Sequence, residues 1–316
     1  WDMTYSYELR GVFKQIWANY EGYDNFMLNY TFNGHDSGLN KDITEGNFAD
    51  LIDQEGRKAA VKAFYDIAGN GKNFSGDVGQ NNTEAQFKFI DSKYNGKRIA
   101  MFMECSYWES ESRSDFDDAG QIDPNDGYGK RDFRIMPIPN FVGVDGIKDQ
   151  TNTEKIFAGE GSDTYICLSA KNKCKNPGVQ QEIAKLFLQF VHQRDQLIKF
   201  TANTGCLRAF NYTADEEDMK TFTKYTQSIM RYIGEGAKVV SNLPIAQKRK
   251  DHSDKFSDGN DLYAFSASRN GSVPAGNVYL YMENNGEWAA SGVYKGPNWE
   301  ACYKDYVSTF KATFNF

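Results

Sequence analysis

The chain has 316 residues, 40% of them hydrophobic and 15% aromatic, which is enough to bury a sizeable core and too long for one small domain. Its net charge of −7 and scattered basic residues exclude a nucleic-acid-binding surface; the one tight basic run, Lys248-Arg249-Lys250, is followed closely by Asp251 and Asp254. No stretch approaches the roughly 20 apolar residues that span a bilayer, and the chain opens at Trp1, so its compartment is not readable from its start.

Taken in order, Tyr7–Trp17 places Leu9, Val12, Phe13, Ile16 and Trp17 at helical spacing, predicting an amphipathic helix that ends before Gly22. Met27–Phe32 reads as a short strand closed by Asn33-Gly34, followed by a polar loop to Asn47. Gly56–Ala68 predicts a helix with Ala59, Ala60, Ala63, Phe64 and Ile67 on one face. Thr83 to Gln86 has the spacing of a capping box and opens a further helix running to Asn95-Gly96. Strands are expected at Lys97–Met103, at Phe133–Pro139 and at Asp163–Leu168. Pro177-Gly178 opens a long helix, Val179–His192, that should turn Ile183, Leu186, Phe187, Phe190 and Val191 inward. Helices follow at Asp195–Thr204, closed by Gly205, at Glu216–Ile233 and at Trp299–Phe314. Helices alternating with short strands give an α/β class.

Chemistry-bearing residues are few. The five cysteines, Cys105, Cys167, Cys174, Cys206 and Cys302, are odd in number and show no CxxC spacing, so free thiols are expected, with a Cys167–Cys174 bridge as the alternative. His35, His192 and His252 lack metal-ligand spacing, and no metal or cofactor is expected. The acidic run Asp115, Asp117, Asp118, Asp123 and Asp126 lacks the ligand periodicity of a calcium loop and reads as a solvated loop. No nucleophile elbow, phosphate loop or HExxH is present. Glu104, Glu109 and Glu111 lie too close in sequence to face each other across a glycosidic bond, so no enzyme is expected.

The run Thr83-Glu84-Ala85-Gln86, an amphipathic helix, Asn95-Gly96-Lys97, the apolar Ile99–Met103 and then Ser106-Tyr107-Trp108-Glu109 resembles the extracellular solute-binding proteins of bacterial ABC importers, of maltose-binding-protein type. Further pieces follow in that family's order. They are Phe133–Asn140, the hinge-like Ala158-Gly159-Glu160-Gly161 with Tyr165–Ala170, the helix Ala184–Val191, the turn Thr204–Arg208 (with Arg208 where the family has proline) and Val293–Tyr306.

The resemblance implies a periplasmic-binding-protein-like, type II two-lobe α/β fold lacking the front of its first lobe. Residues 1–160 and 236–316 would form the second lobe, and 161–235 the return portion of the first. It implies capture of a carbohydrate between the lobes and delivery to permease subunits, by a monomer outside the cell. That monomer would be periplasmic, or a cell-surface lipoprotein anchored by a lipid outside this chain. The alternatives are a non-sugar solute, and an adhesin or sensor module on the same fold. The implied ligand-binding residues are Tyr107 and Trp108 as stacking rings, Glu104 and Glu109 as hydroxyl acceptors, Tyr5, Tyr7 and Trp288 as further cleft aromatics, and Glu160 at the hinge. On this reading Trp108→Ala loses ligand affinity with little loss of folding.

Overall fold

The structure, a computed structural model, describes residues 15–31, 33–34, 39, 41–44, 46–47, 49–52, 54–68, 82–91, 93, 98–102, 104–158, 173, 175–208 and 212–240. Within them the architecture is mixed but predominantly helical, with 54% in helix against 3% in strand. No helix among them is long and apolar enough to cross a membrane. The expected strand Asp163–Leu168 and the expected final helix Trp299–Phe314 lie outside the described residues.

Residues 15–21 are helical and stop at Gly22, whose φ of +82° is left-handed, in line with the expected helix end. Helix α1, Tyr23–Thr31, then replaces the expected strand at Met27–Phe32. Here packing overrides the short alternating pattern. Phe26, Met27, Leu28 and Asn29 are all buried, which a strand with one solvated face does not allow. Asn29 is held inside by Arg57 Nη2, at 3.2 Å, and donates to Gln54 Oε1 at 2.9 Å.

Short helix α2, Ala49–Ile52, leads to α3, Glu55–Ala68, as expected from its apolar face. Arg57 sits over the Trp17 ring at 3.8 Å and donates from Nε to the Leu51 carbonyl at 3.1 Å, so its buried charge has partners. Helix α4, Asn82–Ile90, begins one residue before Thr83 and carries Ala85, Phe89 and Ile90 into the interior.

The next expectations are corrected. Residues 98–102 and 133–139 form no strand. A strand needs a partner ladder. Instead, the Ile135 amide donates to Ser228 Oγ at 3.0 Å, and Pro137 and Pro139 have no amide to offer. The acidic run is not a loop either. Asp115, Asp117 and Asp118 lie on α6, Arg113–Ile122, which follows the four-residue α5, Trp108–Glu111. Asp123 caps a 3-10 turn, Pro124–Asp126, and Asp126 is buried 3.6 Å from Arg131.

These pieces close around an aromatic core: Phe89, Ile90, Trp108, Phe116, Ala119 and Phe133, flanked by Phe102, Tyr128 and Tyr225.

Helix α7, Pro177–Val191, forms where expected, with proline in its first turn. Its apolar face is not turned inward: Val179, Ile183, Leu186, Phe187 and Phe190 are each more than half exposed. The 3.6-residue period makes the stripe, but only a facing element buries it. Helix α8, Arg194–Thr204, ends at left-handed Gly205 as expected.

The single helix expected over Glu216–Ile233 is split into α9, Glu216–Met219, and α10, Lys224–Gly234. Phe222 drops into a second core with Ile198 and Met219, and Thr223 caps α10 by accepting from the Thr226 amide at 3.2 Å.

The sheet among the described residues is a parallel pair that the alternation pattern did not indicate. It joins β1, Ile156–Ala158, to β2, Lys238–Val240, with Ile156 opposite Lys238.

Candidate functional site

The resemblance-derived residues that the structure describes gather at the loop 104–107 and α5. Trp108 is 2% exposed. Its indole meets Phe133, Phe89, Phe116, Tyr225 and Phe102 at ring-centre distances of 5.1 to 6.0 Å, mostly edge to face. It packs as a core ring in this conformation. Tyr107 is 40% exposed.

Glu109 is buried and accepts a hydrogen bond from the Thr223 hydroxyl. Burial pushes its carboxyl up, and that bond only partly offsets the rise. Tyr5, Tyr7, Glu160 and Trp288 lie outside the described residues.

Glu104 and Cys105 are half-buried beside these rings, and the Cys105 thiol donates to Glu104 Oε1 at 3.2 Å. Burial and the Glu104 carboxylate push that thiol up strongly. Glu111 completes a trio, with its Oε2 accepting from Gln86 Nε2 at 3.0 Å. One ligand atom from each of Glu104, Cys105 and Glu111 lies within 4.8 Å of the others, a mixed carboxylate–thiol set able to hold a divalent cation. The sequence reading assigned no metal here. The adjacent Glu104-Cys105 was the one available cue, and the turn that brings Glu111 back to it is not readable from spacing. Cys206, like Cys105, is a free thiol, as expected.

A second feature carries a cavity, and no sequence-predicted residue lines it. A cleft of about 430 Å³ opens where Tyr20, Glu21, Gly22, Asp24 and Asn25 approach Glu55 and the loop Lys148–Glu154. Glycine is favoured at position 22 by its left-handed φ of +82° and by the close approach of the opposite wall. A Cβ at this position would lie 3.1 Å from Asn152 Oδ1 and from Glu154 Oε2.

The walls are tied by hydrogen bonds across long stretches of chain. Tyr20 Oη donates to the Lys148 carbonyl at 2.7 Å, and the Tyr23 amide donates to Glu154 Oε2 at 2.8 Å. Gln150 Nε2 and Asn152 Nδ2 both donate to the Asn19 carbonyl, at 3.0 and 2.8 Å. Glu21 Oε1 accepts from the Gly56 amide at 2.7 Å, and Asp149 Oδ1 accepts from the Gly143 amide at 2.7 Å.

The cleft is electrostatically negative. Glu21, Asp24, Glu55, Asp149 and Glu154 line it against Lys148. Burial, then Glu55, Glu21 and Asp149, push the Tyr20 phenol up to about 12. Burial raises the Glu21 carboxyl against the pull of the Gly56 amide and Arg57. Glu154 is the exception. Burial would raise it, but Lys238 and the Tyr23 amide hold it below the usual carboxylate range.

Carboxylates, amides and Thr151 around a cavity of this size are partners for hydroxyl or ammonium groups on a small solute. No local pattern marks them, because the two walls lie about 130 residues apart in sequence. No protein-family model, curated protein or solved structure matches the chain.

Proposed function

We propose that the chain is the solute-capturing component of an ABC importer, working outside the cell on a two-lobe type II fold. It holds a carbohydrate in a cleft whose walls both come from residues 1–160, the segment expected in the second lobe, rather than between the lobes, and passes it to permease subunits. The observation that carries this reading is the cleft at Tyr20–Asn25 and Lys148–Glu154. Its volume suits a small sugar, and its hydrogen-bonding groups converge from separate segments. The ordered resemblance from Thr83 onward supports the same reading, and the absence of nucleophile, phosphate-loop and HExxH motifs favours capture over turnover.

Calorimetric titration of the purified chain with a panel of oligosaccharides, alongside chromatography of the sugars after incubation, tests it. Saturable heat with unchanged sugars is the expected result. No saturable heat across the panel overturns the reading. So does product formation that is lost in Glu109→Gln.

A further inference from the structure

We propose that the sugar taken by this cleft carries a protonated amine, so that the preferred solute is an amino sugar with its nitrogen unacetylated. The inference rests on the carbohydrate reading above and narrows its ligand.

Negative charge is left over in the lining after its ion pairs are counted. Of the five lining carboxylates, Glu154 is engaged by Lys238 and Glu55 is 3.3 Å from Lys58. Glu21, Asp24 and Asp149 remain against Lys148 in the lining, with Lys58 also acting on Glu21 and Lys238 also acting on Asp24 from outside it. Arg57 acts on Glu21 but is committed to Leu51, Asn29 and the Trp17 ring. Glu21 and Asp149 each give one oxygen to a backbone amide, Gly56 and Gly143 respectively.

The same carboxylates are felt at the wall, where burial first and then Glu55, Glu21 and Asp149 raise the Tyr20 phenol. A neutral sugar entering such a cleft desolvates the carboxylates and returns only neutral hydrogen bonds. An ammonium on the ring returns charge-assisted ones, roughly twice as strong. The amides of Asn25 and Asn152 and the hydroxyl of Thr151 supply neutral partners for ring hydroxyls. The result is a site for a polyhydroxylated cation, rather than for a bare polyamine or a neutral sugar.

The test compares three probes on the intact chain by calorimetry. They are a β-1,4-linked glucosamine disaccharide, its N,N′-diacetylated counterpart and spermidine. The glucosamine disaccharide is expected to bind at least about tenfold more tightly than each of the others, and to weaken as salt rises from 20 to 200 mM. Asp149→Asn keeps an oxygen for the Gly143 amide while removing the charge, and should cost that disaccharide about tenfold, clearly more than it costs the diacetylated one. Asp24→Asn, on the other segment, should act in the same direction.

Equal or tighter binding of the diacetylated sugar overturns the inference while leaving carbohydrate capture standing. Tighter binding of spermidine overturns the requirement for a sugar. No binding by either disaccharide, together with no heat across the wider panel, overturns both readings.

Discussion

At the scale of single residues, burial decides what each side chain does. The family resemblance implies a sugar platform at Trp108, and a tryptophan is equally suited to a core. In the structure it is ringed by five aromatic side chains. Trp108→Ala is therefore expected to lower stability by about 3–5 kcal/mol, the cost of a large buried ring and the cavity it leaves. An unchanged urea midpoint would remove it from the core.

Asp115 carries a charge at odds with its place. It is buried in the first turn of α6, with no hydrogen-bond partner for Oδ2 among the described residues. Burial, then Asp118, raises its carboxyl to about 6. A raised carboxyl means the native state prefers the protonated form. That contribution is fully present below about pH 4 and is lost as pH rises through 6. Asp115→Asn, which mimics the protonated acid, should raise stability at pH 7 by about 1–2 kcal/mol, less than the full shift because of solvent screening. It should also flatten the dependence between pH 4 and 7. A variant whose urea midpoint tracks that of the parent across this range would refute the assignment.

At the scale of elements, the helices with strong local signals were legible and their surroundings were not. The Gly56–Ala68 stripe, proline at the head of α7 and Gly205 at the foot of α8 are local signals, and each marks an observed helix. Caps and 3.6-residue periodicity depend on neighbours within one turn. The strand assignments failed for the opposite reason. Met27–Phe32, Lys97–Met103 and Phe133–Pro139 are apolar enough for strands, but a strand exists only beside a partner, and the partner is remote in sequence.

Gly205 joins the two levels. It ends α8 at φ +68°, and a Cβ there would lie 2.9 Å from the Ser106 carbonyl oxygen, immediately before α5. Gly205→Ala is expected to cost about 1–3 kcal/mol. Asn tolerates the left-handed conformation but meets the same oxygen, so Gly205→Asn should not rescue the loss. Thermal melts followed by circular dichroism check both variants, and parental melting in either would refute the close approach.

At the scale of the whole molecule, a few long-range ties assemble what the local elements leave apart. The Ile156 carbonyl accepts from Gln15 Nε2 at 2.8 Å and from Tyr232 Oη at 3.3 Å, beside the β1–β2 pair. Tyr20 reaches Lys148, and Tyr23 reaches Glu154, to form the cleft. The sequence by itself determined the helices α3, α7 and α8, the two free thiols at Cys105 and Cys206, and an acidic, aromatic-rich chain. Each of these is set by composition or by residues within a turn of one another. Only the tertiary structure decided that Trp108 is core, that Asp115 and Asp126 are buried, and that Glu21, Asp24 and Asp149 share one cavity. Burial and the local field are sums over neighbours, and at the cleft those neighbours come from segments more than 100 residues apart.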